Sequence, residues 1–257
     1  MKQIKFITEM LLLAAFTLSF NACSSDDDLD NGTNGKRISK VVKSDSDNNI
    51  YDSFSFRYTN GKLSNIIFEG EDADEPIVIT YSDKKVSIVG EINQTLQLNN
   101  ASFAESGNTP LDNSPYRFNC EYSNGYLTKV TYPDSDNNTR IEIKYDNNGN
   151  ILTAWQYSDN EVTEYKFTPS SHLAKGKNYF LLGDLFGRDE TMDLFWPAYY
   201  AGFWGKDSPN LVSKVECIGK YDSYTIEFDY TFDKDDYVET ITKRDKWDTN
   251  RMSFVYE

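Results

Sequence analysis

The side chains best equipped for chemistry in this chain gather in a few places. The densest is Trp196-Pro197-Ala198-Tyr199-Tyr200-Ala201-Gly202-Phe203-Trp204. Here Trp196, Tyr199, Tyr200, Phe203 and Trp204 supply flat aromatic faces of the kind that stack on sugar rings or shelter an apolar ligand. A plug that completes a hydrophobic core is the competing assignment for the same residues. Asp45-Ser46-Asp47-Asn48-Asn49 and Asp134-Ser135-Asp136-Asn137-Asn138 are near-identical. The alternate oxygens of Asp45 and Asp47, and of Asp134 and Asp136, have the cadence of a calcium loop. Ile50 and Thr139 replace the glycine of such a loop, and Phe56 and Tyr145 its closing glutamate. Polar turns therefore account for both stretches, and no metal or other cofactor is expected.

His172 is the only histidine, so a hydrolytic triad or histidine-based zinc site would rest on one residue beside Ser170 and Ser171. No Gly-x-Ser-x-Gly, His-Glu-x-x-His or phosphate loop occurs. A glycoside hydrolase needs only two carboxyl groups at the right separation, but acids are so plentiful that sequence selects no pair.

The elements that carry these residues begin with an address. Lys2 and Lys5 precede an apolar run, Met10 to Phe20, and Ala22 stands just before Cys23. That is a charged n-region, an h-region and a cleavage site. The run of about 11 residues falls short of the roughly 20 that a spanning helix needs. Residues 1–22 read as a lipoprotein signal peptide and Cys23 as the residue that receives the lipid. Phe20, Asn21 and Glu9 depart from the usual lipobox pattern. Residues 23–35 are acidic, polar and rich in Gly and Asn, which describes a flexible tether with nothing to bury. Residues 36–257 form a single domain.

The formal charge is −15, and removal of the signal takes away two lysines and one glutamate, making the mature chain more acidic still. Such a balance repels phosphate backbones, so nucleic acid is excluded as a partner. Cys120 and Cys217 lie in alternating apolar segments that point them to a buried face. Two free buried thiols are the plainer reading, and a disulfide in an oxidising compartment is the other.

A repeated hairpin sets the fold. One arm alternates and ends in tyrosine: Phe54 to Tyr58, Ile77 to Tyr81, Phe118 to Tyr122, Ile141 to Tyr145 and Ile226 to Tyr230. A short polar turn such as Thr59-Asn60-Gly61-Lys62 or Ser123-Asn124-Gly125-Tyr126 follows, then a second alternating arm. Period-two alternation specifies strands. The expectation is an all-β protein, an antiparallel meander of repeated hairpins forming a strongly curved sheet or closed barrel. Ser55 and Arg57, Glu142 and Lys144, and Glu227 and Asp229 occupy the face opposite the aromatic one, so that face belongs in water rather than lipid. Ile77 to Tyr81, with Val78 on the polar side, is expected to be covered on both faces. Residues 171–210 break the rhythm and read as two short helical turns, the second divided by Pro197, serving as a plug or as a ligand site.

The unit Tyr145-Asp146-Asn147-Asn148-Gly149-Asn150-Ile151 resembles the tyrosine-aspartate repeats of RHS-type proteins. With the lipobox and acidic tether, the mature chain resembles a family of Bacteroidetes lipoproteins known only as a domain of unknown function with a porin-like fold. That resemblance implies an architecture and assigns no active residues. The acidic run after Cys23 resembles the surface-export signal of the same lipoproteins, which implies the outer face of the outer membrane. The combined expectation is a non-enzymatic binding or interaction module in the cell envelope. Its partner would be a glycan, a small apolar ligand or a surface protein. The alternatives are a glycan-degrading hydrolase using a carboxylate pair and a carrier of a small apolar ligand.

Overall fold

The computed structural model describes residues 35–70, 75–90, 93–111, 114–134, 139–158, 161–177, 179, 181–186 and 195–257. The signal, Cys23, most of the tether and Asp136 lie outside them. Alternating sequence becomes strand throughout: β1 (Ile38–Ser44), β2 (Ile50–Thr59), β3 (Lys62–Phe68), β4 (Ile77–Ser82), β5 (Lys85–Val89), β6 (Gln94–Leu98), β7 (Ala104–Leu111) and β8 (Ser114–Ser123). They continue as β9 (Tyr126–Thr131), β10 (Arg140–Tyr145), β11 (Ile151–Ser158), β12 (Glu161–Leu173), β13 (Asn210–Ile218), β14 (Ser223–Phe232), β15 (Val238–Arg244) and β16 (Thr249–Tyr256). Each strand pairs antiparallel with its sequence neighbours, and β16 pairs with β1, so the sheet closes into a barrel. Of the two forms expected, curved or closed, the closed one is found. Two short helices, α1 (Leu181–Phe186) and α2 (Trp196–Tyr200), fall between β12 and β13.

The wall is apolar inside and polar outside. Phe254, Val41 and Phe54 stand opposite one another on adjacent strands, as do Phe56, Ile66 and Ile77, and all are buried. The alternate positions carry rows of opposite charge, Glu121–Lys129–Glu142 and Lys214–Glu227–Arg244. A lipid-facing Arg or Lys at the middle of a bilayer costs about 2–4 kcal/mol, so this outer face suits water. Val78 corrects one expectation: it is 43% exposed, because no second layer covers its face among the described residues. Gly107 sits between Leu96 and Phe118. A Cβ there would lie 2.1 Å from the Phe118 ring, so only glycine lets that fully buried ring cross the strand.

The tyrosines that end the repeats act as latches. Tyr58, Tyr81, Tyr122, Tyr145, Tyr230 and Tyr256 donate their hydroxyls to the carbonyls of Ile38, Leu63, Ala104, Leu127, Val212 and Val238, at 2.6–2.9 Å. In each case the acceptor opens the first strand of the same hairpin, and the tyrosine stands near the end of the second. All six latches therefore lie at one end of the barrel, here called the tyrosine end, where the chain also enters at β1. Among the described residues, the remaining hairpins are β5–β6, which ends at Leu98, and β11–β12, whose second strand runs on toward α1.

The turns repeat as well. Asn60-Gly61 and Asn124-Gly125 each place both residues at positive φ, as tight two-residue hairpin turns require. A second type begins with Asp or Asn whose side chain accepts the backbone N–H two and four residues on. It recurs at Asp45, Asn99, Asp146 and Asp233. In all four the residue three on has positive φ: Asn48, Ser102, Gly149 and Asp236.

Cys120 and Cys217 are buried and not joined in a disulfide, the plainer of the two readings, and burial pushes the Cys120 thiol well above its ordinary range. Burial likewise raises the latch phenols, Tyr58 to about 12 and the other five further. Since unfolding returns a phenol to about 10, the unfolded chain loses protons first as pH rises. Stability should therefore hold below pH ~10 and fall progressively above it. Urea midpoints measured from neutral to alkaline pH test this, and the decline should be shallower when several latch tyrosines are phenylalanine. At neutral pH, Tyr145→Phe alone should cost about 1 kcal/mol.

Candidate functional site

Within the connection between β12 and β13, residues 195–204 fold back into the barrel at the tyrosine end. Pro197 sits in the first turn of α2, where its missing N–H costs nothing; it starts that helix rather than dividing it. Phe195, Tyr199, Tyr200, Phe203 and Trp204 are buried, and Trp196 is half-buried against the core. Trp196 lies 4.9 Å from Phe54, Tyr200 5.0 Å from Phe56, Phe195 4.9 Å from Phe118 and Phe203 5.8 Å from Tyr81. The plug thus touches β2, β4 and β8 at once. The Trp204 indole donates to the Phe195 carbonyl at 2.9 Å, which closes the plug on itself.

Backbone bonds fasten its exit to the wall. Ala104 N–H donates to the Phe203 carbonyl and Lys206 N–H to that of Gly125, both at 2.8 Å. The Tyr122 latch reaches the Phe203 carbonyl as well as that of Ala104. The buried Asn150 accepts from Asn210 N–H at 3.0 Å. Gly205 has positive φ, and a Cβ on it would lie 2.4 Å from the Gly125 carbonyl oxygen. The five aromatics singled out from the sequence are therefore brought together, four of them buried and Trp196 half-buried.

A cleft of about 90 Å³ lies beside them. Tyr145 and Tyr230 of the latches line it together with Tyr179, Tyr199 and Trp204, with Asp207 among its polar groups. A cavity that holds benzene is about 150 Å³, and pockets for drug-sized ligands begin near 300 Å³. The cleft is too small to enclose a sugar ring. Its acid, Asp207, is held by Lys177 at 2.7 Å.

The other sequence candidates are scattered. Asp45 accepts from Asp47 N–H, Asn49 N–H and the Asn49 side chain, which holds its carboxyl below the usual range. Asp47 is exposed in the same turn. Asp134 is bound by the Arg117 guanidinium, which lowers its carboxyl too. Among the described residues no group of three or more His, Cys, Asp or Glu is placed to hold a metal. His172 is exposed and stacks on Phe232 at 4.7 Å. Glu69, Glu161 and Asp233 are displaced downward as well, chiefly by Lys40, Lys220 and Lys36 respectively. That displacement is opposite to what a general acid needs.

What sequence reading missed is the rim opposite the tyrosine end. Tyr221 is 79% exposed, Ile50 67%, Tyr51 59% and Trp247 55%, with Val162 and Ile218 also exposed. They lie at or beside the tips of four consecutive hairpins, β11–β12, β13–β14, β15–β16 and β1–β2. Trp247 meets Tyr224 edge-on at 4.7 Å, and Lys246 lies 4.4 Å over its ring. Tyr221 and Trp247 sit in turns, where alternation carries no information, and Ile50, Tyr51, Val162 and Ile218 lie at strand ends, beyond the packed part of the wall. The two groups of aromatics should respond differently to truncation. Trp204→Ala should cost about 3–5 kcal/mol as a cavity in packed core. Trp247→Ala should stay within about 0.5 kcal/mol, both read from urea unfolding.

Comparison with known proteins agrees with this architecture. Residues 33–240 match the model of a family described as "Domain of unknown function (DUF4595) with porin-like fold". Among solved structures, a porin-like protein from Bacteroides uniformis ATCC 8492 superposes with a TM-score of 0.69 at 17% identity, over 86% of this chain and 98% of that one. A porin-like protein from Bacteroides vulgatus ATCC 8482 gives 0.59 at 12% identity, over 86% and 99%. None of the curated proteins matches the sequence. With more than half its length matched, the chain belongs to the family of domains of unknown function with a porin-like fold.

Proposed function

We propose that this protein is an exported, lipid-anchored interaction module that binds a protein partner through the aromatic rim of a plugged barrel. The observation that carries the reading is where exposed and buried aromatics fall. The plug aromatics are spent on filling the lumen, while Tyr221, Trp247, Tyr51 and Ile50 stand exposed on adjoining hairpin tips. Trp and Tyr are the side chains that most often dominate binding energy between proteins. The aliphatic Ile50, Val162 and Ile218 among them suit a protein surface better than a sugar. The signal residues, the small residue before Cys23 and the acidic tether support anchoring at the outer membrane, facing the exterior.

The porin-like shape does not imply a pore in this reading. The lumen is closed by Phe195, Tyr200 and Trp204, and the outer wall is charged. Purified protein added to planar bilayers should give no conductance steps; steady channels would sink the plugged reading. Globomycin should block processing of the precursor, and protease added to whole cells should digest the domain. A photocrosslinking residue at Tyr221 should trap a discrete partner that is lost on Trp247→Ala, whereas one at Lys144 on the wall should trap none.

A further inference from the structure

The lumen face changes character toward the far rim. Phe254, Val41, Phe54 and Phe68 form one apolar row across β16, β1, β2 and β3, and one step further out the same face carries Met252, Lys43 and Asp52 side by side. Beside them Lys243 stands between Phe228 and Asn250. Lys43 and Asp52 pair at 2.8 Å and keep 32% and 28% of their side chains exposed, and Lys243 and Asn250 are half-buried. Charged groups hold a place on an inner face only where water or a polar partner reaches them. The far mouth is therefore wet, although the plugged part of the lumen is apolar.

The plug presents an aromatic ring to that mouth. β2 runs from the far rim to the tyrosine end, so Asp52, Phe54, Phe56 and Tyr58 mark successive depths. Tyr200 lies on Phe56 at 5.0 Å, whereas Trp196 lies on Phe54 at 4.9 Å and reaches across to Phe68, the last residue of β3, at 6.2 Å. Lys43 holds its ammonium 5.4 Å over the same Phe54 ring. Trp196 and the Lys43–Asp52 pair thus flank one side chain, and of the five plug aromatics Trp196 is the one that keeps part of its surface exposed. At the edge of the mouth the Tyr51 hydroxyl reaches the Asn250 side-chain oxygen at 3.4 Å.

A pyranose ring matches this mixture. It has an apolar face of C–H groups for an aromatic ring and an edge of hydroxyls that both donate and accept. Lys43 supplies donors, Asp52 acceptors and the Asn250 amide both, so hydroxyls in either role find a partner. A purely apolar ligand would strip Lys43 and Asp52 of water and return nothing. We infer that the far mouth is a saccharide site that seats one pyranose ring on Trp196, with Lys43, Asp52 and Asn250 along the hydroxyl edge. The site lies inside the mouth, within the circle of hairpin tips, and stands independently of the protein partner proposed for those tips.

Saturation-transfer difference NMR on residues 23–257 tests this, with maltose, cellobiose, lactose, mannobiose, xylobiose and chitobiose at millimolar concentration as the probes. At least one should receive saturation, strongest on the ring C–H protons of a single sugar unit. Trp196→Ala should abolish the transfer. Because that ring also packs on Phe54, a second variant guards against simple unfolding: Asn250→Ala should keep the urea midpoint of the parent chain and weaken binding several-fold. Trp247→Ala, on a hairpin tip, should leave the transfer unchanged. Absence of transfer to every one of these sugars would overturn the inference, as would transfer undiminished in Asn250→Ala. Transfer lost on Trp247→Ala would overturn it too, by moving the sugar from the mouth to the tips.

Discussion

A closed sheet of this many strands encloses more volume than its own wall side chains can fill, and the polarity of the wall decides what must fill the rest. Membrane barrels of similar size keep a polar lumen full of water and turn an apolar band to lipid. Here the alternation is inverted, and an apolar lumen left open would hold neither water nor packed atoms. The residues between β12 and β13 answer that constraint. Phe195, Tyr200, Phe203 and Trp204 bring to the lumen the aromatic bulk that Phe54, Phe56 and Phe118 cannot supply alone. The plug and the wall are therefore one core, and the insertion that looks like a separate feature in sequence completes the barrel.

The latches follow from the same geometry. A hairpin closed only by a tight turn can splay, and each tyrosine hydroxyl ties the end of the second strand to the start of the first at the open end, opposite the hairpin's own turn. The phenol ring packs against the core while its hydroxyl meets a carbonyl near the barrel mouth. Tyrosine is suited to that boundary, having an apolar body and one polar tip. Tyr122 extends the arrangement to the plug by reaching Phe203. The two hairpins outside the set are the short β5–β6 and β11–β12, whose second strand leads into the plug connection.

Much of this was legible in the sequence because two signals are local and redundant. Period two marks the strands, and Tyr followed by a polar turn marks where they end. Gln94 to Leu98 and Ala104 to Leu111 escaped, since Gln, Thr, Ser and Gly give weak alternation and their strand character comes from neighbours on both sides. Closure was undecided because it depends on β1 meeting β16, a pairing between opposite ends of the chain that no local pattern encodes. The aromatic segment was found, but its exposure was not, since nothing in Trp196 to Trp204 distinguishes a ring that faces water from one that faces Phe118. The calcium-like stretches show the opposite error available to pattern reading. Asp45 in Asp45-Ser46-Asp47-Asn48-Asn49 turns its oxygens onto the amides of its own turn, as Asp146 and Asp233 do in theirs.

Filling the lumen moves any function to the ends and the outer wall. The wall is a lattice of alternating charge, with Glu121, Lys129 and Glu142 or Lys214, Glu227 and Arg244 in register, and exposed pairs of this kind contribute little energy and no shape. The ends differ from each other in every respect that the fold controls. One carries the latches, the plug and the chain entry; the other carries hairpin tips free of closure duties, where Tyr221 and Trp247 stand exposed. A tip can vary its side chains at little cost to the core, because it lies at the surface beyond the packed part of the wall. The strands thus hold a constant frame while the far rim is free to diversify, and recognition is most readily acquired there.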